Sequence, residues 1–322
     1  MVLKKNIILS QYRPAIRLYK WVVTLKRMGH NVSILYTTNP IKNINFSEFN
    51  LLKYNPNYNY NEFDLHLSFN TNVKGLSHLN VKTIQCVGDL KGYYPNNIKI
   101  EKKSIDISEK LVFVSNSQKK ESIKIHGEYN KESHVIINGI VDELIPKSYL
   151  PKIDNGYINI VYSGTLSGDK SNHRYFYDLF KKLSECENVK LHLYPSLTGL
   201  PDIYKTLKNV LIHESVSPYD LIKELSQYDI GLIYLNNNNK GILNSTMPNK
   251  LFEYLQAGLP IISGEYSEIV KFNEGKNCIS FFNNESDLQD SIKSSIQIDG
   301  KKQRDYVVNY SDQIHEINKI IK

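Results

Sequence analysis

At 322 residues, 41% of them hydrophobic, the chain is long enough for two α/β domains of ordinary size with a core in each. No run approaches the ~18 consecutive apolar residues of a membrane-spanning helix, and the apolar part of the first ten residues is too short for a signal peptide and begins a strand instead. The net charge of +7 is uneven: residues 1–145 hold 20 Lys and Arg against 12 Asp and Glu, and the rest 20 against 21, so any attraction to anionic lipid, anionic polymer or nucleic acid belongs to the first part.

Strands are predicted at Asn6–Leu9, Asn31–Tyr36, Leu65–Ser68, Val81–Cys86, Lys110–Val114 and His134–Ile137, with an amphipathic helix over Arg13–Met28. Residues 40–62, rich in Asn and Tyr, predict an irregular segment with one short strand. Pro146, Pro151 and Asn155-Gly156 break the periodicity and place a linker near 145–156. Beyond it, strands are predicted at Ile158–Ser163, Val189–Tyr194, Val210–His213, Ile230–Leu235 and Pro260–Ser263. Helices are predicted at Tyr175–Cys186, Tyr219–Gln227, 249–257 and Glu285–Ile296, and the stretch from Lys301 to Lys322 is expected to be helical. Strands alternating with helices imply parallel sheets covered on both faces.

The most informative stretch runs from Met247 to Ile262. Pro248 suits a first helical position, since it has no N–H to leave unpaired. The amides of Asn249, Lys250 and Leu251 then lie at the positive end of a helix, where phosphate binds, and Lys250 adds a full charge. Glu253, one turn along, suits a vicinal diol such as a ribose. Gly258 stops the helix, and Leu251, Phe252 and Leu255 belong to the core. Gly164, after a strand, lets backbone approach a diphosphate. Arg13 suits a phosphate or an anionic acceptor. Arg13, Arg17, Lys20, Lys26 and Arg27 share a helix with Trp21, Val22 and Leu25, a composition that can rest on an anionic membrane or else form an ordinary core helix. Cys86, Cys186 and Cys278 are scattered, with neither metal-ligand nor disulfide spacing, which fits a reducing cytoplasm. The histidines show no ligand spacing, so phosphate binding is expected to be metal-independent, with no cofactor. No helix-turn-helix or aromatic stacking motif supports a nucleic-acid partner.

The run Pro248-Asn249-Lys250-Leu251-Phe252-Glu253-Tyr254 resembles the donor-site signature of GT-B glycosyltransferases, specifically the retaining family 4. That family shows two Glu residues separated by seven others. The second matches Glu253; the first falls on Ser245, and a subset with this Pro-x-Lys-x-Phe-Glu-Tyr run often lacks that first acid. Val112–Ser115, Val135–Ile140, Val161–Leu166 and Asp229–Leu232 follow the family's order, so the resemblance covers nearly the whole chain. It implies two Rossmann-like domains facing a cleft: an acceptor domain over 1–145, a nucleotide-sugar domain over 146–305, and a helix over 306–322 crossing back to the first. It implies that Glu253 binds the ribose and that Ser245, Thr246, Met247, Pro248, Asn249 and Lys250 face the sugar and diphosphate. Thr165 stands where the family has an Arg, and Lys170 falls where its second cation is expected, with Arg174 as substitute. Glu214–Pro218 would line the base pocket through backbone. Ser10 and Arg13, in the first βα loop, would face the acceptor. Asp89, near a position where the family often has a His, is the candidate for contact with the transferred sugar or for general base.

The implied activity is transfer of a sugar from a nucleotide-sugar donor to a glycan or lipid-linked acceptor in cell-envelope or surface polysaccharide synthesis, with retention at the anomeric carbon. The implied location is the cytoplasm, with peripheral contact at the inner face of the membrane. A sugar-nucleotide epimerase and a non-catalytic donor-binding subunit of a glycosylation complex remain open.

Overall fold

The structure, a computed structural model, describes residues 3–69, 79–88, 90, 97–196, 199–236, 244–245, 247–284 and 286–322. It divides into two compact units. The first comprises Met1–Val141, Ser245–Met247 and Val308–Lys322, the second Asp142–Asn244 and Pro248–Val307. The chain leaves the first unit at Val141, four residues before the expected boundary, because the short turn Asp142–Leu144 belongs with the second.

The first unit is built on seven parallel strands: β1 (Asn6–Gln11), β2 (Asn31–Tyr36), β3 (Asn50–Lys53), β4 (Leu65–Phe69), β5 (Thr83–Cys86), β6 (Lys110–Phe113) and β7 (Glu132–Val135), in the order β3-β2-β1-β4-β5-β6-β7. Helices α1 (Ile16–Arg27), α2 (Ile98–Ile107) and α3 (Asn116–His126) connect them. The chain starts in the middle, builds outward to β3 and resumes beside β1 with β4, so the topological switch lies between β1 and β4. The single short strand expected within 40–62 is β3, paired Leu51 to Ile34. The Ser115 side chain caps α3 by accepting from the Gln118 amide at 3.0 Å.

α1 is a core helix, one of the two readings its composition allows. Arg17, Lys20, Trp21, Val22 and Leu25 are all buried, and only Lys26 and Arg27 at its end are exposed among its basic residues. The Arg17 guanidinium donates to the Val87 carbonyl at 2.7 Å and lies over the Phe69 ring. Trp21 meets Phe69 and Tyr310 edge-on.

Residues 308–322 complete this unit. Ile140 and Tyr310 exchange backbone bonds with this segment (Ile140 N to Val308 O, Tyr310 N to Ile140 O, each 2.8 Å). Gly139 is small for that reason: a Cβ there would stand 2.2 Å from the Val308 carbonyl oxygen. The terminal stretch is not one helix. A 3₁₀ segment (Gly300–Tyr306), an extended link and a second short turn precede α9 (Ile314–Ile321), which buries Ile317, Ile320 and Ile321.

The second unit has six parallel strands: β8 (Ile158–Gly164), β9 (Val189–Pro195), β10 (Val210–Ile212), β11 (Ile230–Ile233), β12 (Ile261–Gly264) and β13 (Ile279–Phe282), in the order β10-β9-β8-β11-β12-β13. Its helices are α4 (Tyr177–Glu185), α5 (Pro218–Leu225), α6 (Asn249–Ala257), α7 (Ser267–Asn273) and α8 (Leu288–Ile296). Again the order reverses at the centre, between β8 and β11. Both units are therefore Rossmann-like open sheets, and the carboxyl edge at each switch is where such sheets bind ligands. The core of the second unit joins Ile160, Tyr162, Phe176, Phe180, Leu191 and Leu232. Among the described residues no helix is long and apolar enough to cross a membrane.

Candidate functional site

The site in the second unit is set by how α6 is held. The helix is buried from Leu251 to Ala257, with the polar Glu253 and Gln256 enclosed along with the apolar residues. Gly258 ends it in the left-handed region (φ 77°). The Arg304 guanidinium then caps the free carbonyls, Nε donating to Gln256 O at 3.1 Å and Nη2 to Ala257 O at 3.2 Å. Tyr254 pins the middle: its hydroxyl accepts from the Ser163 amide at 3.0 Å and donates to the Leu232 carbonyl at 3.3 Å. The helix thus bridges the carboxyl ends of β8 and β11.

The first turn of α6 therefore lies over the switch point. Pro248 is the N-cap, in extended conformation, and the helix begins at Asn249. Pro248 is one position earlier than expected, and the Leu251 amide bonds to its carbonyl at 3.2 Å, so that amide does not serve a ligand. Lys250 extends back over the sheet edge. Its Nζ lies 3.8 Å from the centre of the Tyr162 ring. Gly164 has φ +133°, and a Cβ there would stand 3.3 Å from that same Nζ. Gly164→Ala is expected to destabilise the protein by about 1–2 kcal/mol through backbone strain and to displace the ammonium. A melting curve with and without nucleoside diphosphate checks both effects.

Burial first, then the neighbouring Arg174 guanidinium, pull the Lys250 amine down to about 7, with the Glu253 carboxylate opposing them. Arg174 is brought there by the loop after β8. Ser167 N donates to Arg174 O at 3.0 Å, Phe176 N to the Tyr204 hydroxyl at 2.9 Å, and that hydroxyl to Ser167 O at 2.9 Å. Arg174 Nε faces His173 Nε2 at 3.3 Å. Lys170, by contrast, is exposed on the same loop, 5.9 Å from the centre of the Tyr175 ring. Lys250 thus lies in the fields of Arg174 and Glu253, and a bound anion would offset the repulsion from Arg174 and favour the charged amine. Glu253 is 9% exposed, one turn behind Lys250. The Thr165 hydroxyl is hydrogen-bonded to Ser196 at 2.9 Å, so this position carries no charge but joins the ends of β8 and β9.

Other expected site residues fall elsewhere. Ser10 lies inside β1, fully buried, and not in a βα loop. The Thr83 hydroxyl donates to Val81 O at 2.9 Å, so it accepts from His66 Nδ1 at 3.1 Å; His66 Nε2 is then a bare acceptor for the Ser10 hydroxyl at 2.7 Å. Burial holds His66 neutral, down to about 3. Ser10 is thus a structural donor, corrected from an acceptor-side contact, because β1 runs two residues longer than its apolar pattern. Arg13 is exposed between β1 and α1. Ser245 and Met247 are buried in the first unit, their carbonyls accepting from Ser115 Oγ at 2.9 Å and Asn138 Nδ2 at 3.0 Å. Asp89 and Thr246 lie outside the described residues. Among the described residues no three His, Cys, Asp or Glu side chains gather as a metal site.

No known protein family and no curated protein matches the sequence. Solved structures match over the whole length. Sucrose-phosphate synthase from Thermosynechococcus elongatus superposes with a TM-score of 0.71 at 10% identity, covering 98% of each chain. The chain has the GT-B fold. Two further GT-B structures agree. HepE from Anabaena, solved with UDP-glucose, gives a TM-score of 0.68 at 12% identity over 98% of each chain. WaaG, a glycosyltransferase involved in lipopolysaccharide biosynthesis, gives 0.65 at 13% identity over 98% of this chain and 99% of its own. At such identities the likeness establishes the GT-B architecture and leaves the chemistry to the site residues.

Proposed function

We propose that the protein is a glycosyltransferase that takes a sugar from a nucleotide-sugar held in the second unit and passes it to an acceptor hydroxyl presented by the first. The pairing of Lys250 with Arg174 beside the side-chain-free Gly164 carries this reading, since the departing group of such a donor is a nucleoside diphosphate. As the anomeric C–O bond breaks, negative charge grows on the diphosphate, and preorganised cations favour that change over the ground state. Glu253 accepts from the ribose hydroxyls. Retention is favoured by the resemblance of Pro248–Tyr254 to family 4, and the proton of the acceptor hydroxyl then passes to the leaving phosphate oxygen. The UDP-glucose bound by HepE on the same fold supports a nucleotide-sugar as donor. The charge excess of residues 1–145 suits an anionic glycan or lipid-linked acceptor at the inner face of a membrane.

A thermal-shift series with UDP, GDP, ADP, CMP and their sugars, without and then with Mg²⁺, tests the donor site. One nucleotide family is expected to stabilise the protein, without need of the metal, by mass action on the folded state. In Glu253→Ala the fold is expected to persist while that shift and turnover are lost. A flat response of the wild-type protein to every nucleotide, or full activity in Glu253→Ala, would overturn the assignment.

A further inference from the structure

A chain of hydrogen bonds in the second unit fixes the tautomers of two histidines and leaves one ring nitrogen bare. It starts at Asn159, whose Nδ2 faces two acceptors, Tyr157 O at 3.0 Å and Asp229 Oδ2 at 3.3 Å. That atom is therefore the amide nitrogen, and Asn159 Oδ1 can only accept. His192 Nε2 lies 3.1 Å from this oxygen and must carry the proton. His192 is buried between β8 and β10, and burial pulls it down to about 4, so it is neutral and its Nδ1 is an acceptor. His213 Nε2, 3.0 Å from that Nδ1, must then be a donor. Burial also lowers His213, against the opposing pull of the Glu224 carboxylate. A neutral His213 that donates through Nε2 has a bare lone pair at Nδ1.

The place of His213 gives that lone pair a use. Gly164 stands beside Pro195, Ser163 beside Tyr194, and Leu193 beside Ile212, so His213 follows β10 on the same carboxyl edge as Gly164. The two are separated by two strand spacings, roughly 10 Å. Toward β12 this edge is closed: the Tyr266 ring covers Gly264, and its hydroxyl bonds both Leu235 N (2.7 Å) and Leu235 O (3.1 Å). Toward β10 the edge is lined by half-buried residues, Thr165, Ser196, His213 and Ser215. His213 is held flat there, its ring parallel to that of Tyr194 within 8° and 4.4 Å away.

We infer that His213 reads the nucleobase of the donor, its Nδ1 accepting a hydrogen bond from a base N–H while the Asn159–His192 relay keeps that nitrogen unprotonated. His213 has this role only if the site at Lys250 takes a nucleotide. A base turning an N–H toward His213 is held; one turning a carbonyl oxygen there meets a second acceptor and is refused, because an unpaired buried acceptor costs more than a hydrogen bond gains. His192, Asn159 and Asp229 are positioning residues, which act through His213.

Isothermal titration of UDP, GDP, ADP and CDP identifies the preferred nucleotide, and ribose 5-diphosphate serves as the base-free control. His213→Phe keeps a flat ring and removes the acceptor. It is expected to weaken the preferred nucleotide about tenfold and leave ribose 5-diphosphate unchanged. His213→Asn, whose carbonyl oxygen can stand near the position of Nδ1, is expected to recover part of the loss. Two-bond ¹H–¹⁵N spectra of the wild-type protein are expected to show Nδ1 unprotonated and to move that resonance when the nucleotide is added. Equal nucleotide binding by wild type and His213→Phe, or a protonated Nδ1, overturns the role of His213 while leaving the donor site standing. Absence of binding by any of the five ligands to the wild-type protein overturns both.

Discussion

Lys250→Met is expected to cut turnover by about 10²–10³-fold and at the same time to raise the melting temperature below neutral pH. Both effects come from the same placement. The Lys250 ammonium lies over the Tyr162 ring, beside Gly164 and in the field of Arg174. Methionine keeps the length and the contact with the ring but not the charge. In the unfolded chain the amine has its ordinary proton affinity, and in the fold it titrates near 7. Between those values the unfolded state binds more protons, so the stability contributed by this group rises with pH across that window and is lowest below it. Lys250→Met removes this slope. Melting curves of wild type and variant are expected to lie furthest apart at pH 6, where Lys250 is charged in both states, and to draw together toward pH 10, where the folded amine is neutral and most of that window has been crossed.

The ligand acts in the opposite sense. A bound diphosphate favours the charged amine and raises its proton affinity. Nucleotide binding above pH 7 is therefore expected to take up close to one proton, and affinity to fall as pH climbs from 7 to 9. Calorimetry in two buffers of different ionisation enthalpy measures the uptake. A variant with normal turnover, or pH-independent binding in the wild-type protein, would remove Lys250 from the diphosphate site.

How much of this was legible in the sequence depends on how local each signal is. The α6 region was readable because Pro248, Gly258 and the apolar spacing of Leu251, Phe252 and Leu255 are contiguous signals, and the helix spans the expected 249–257. Most strands were readable as apolar runs between turn residues. By contrast, the Lys-rich α3 (Asn116–His126) shows little apolar periodicity, and the isoleucines of α2 fall in alternating pairs, Ile98 with Ile100 and Ile105 with Ile107, which do not read as a helix. Also missed were α7 and β13, a short, half-exposed strand at the sheet edge. Arg174 is not distinguishable from Lys170 by sequence, since only three residues of loop separate them and the fold of that loop decides which one turns inward. The Asn159–His192–His213 relay joins β8, β9 and the end of β10, and no spacing along the chain encodes it. Gly139 showed its type but not its cause: Asn-Gly reads as a turn, while the pressure on it comes from Val308, far along the chain.

Gly231→Ala is expected to destabilise the protein by about 3 kcal/mol. Gly231 lies in β11 beneath the Tyr254 ring, and a Cβ there would stand 2.5 Å from Cδ2 and 2.7 Å from Cγ of that ring. These are inner ring atoms and cannot swing aside as the end of a flexible chain would. The ring is held at its far end as well, where the hydroxyl bonds Ser163 N and Leu232 O inside the protein. Burial drives the Tyr254 hydroxyl well above its ordinary value, so it stays neutral and can both donate and accept at working pH. Relief requires the whole of α6 to move away from β11. The damage thus reaches Lys250 and Glu253, and nucleotide affinity is expected to fall even at temperatures where Gly231→Ala is fully folded. Removing the ring removes the clash: in a Tyr254→Ala background the added cost of Gly231→Ala should shrink to under about 1 kcal/mol, a non-additivity confined to residues in contact. Urea unfolding of the two single variants and the double variant measures the coupling. Strictly additive losses would mean that Tyr254 does not rest on Gly231 and that α6 is held over the sheet edge by something else.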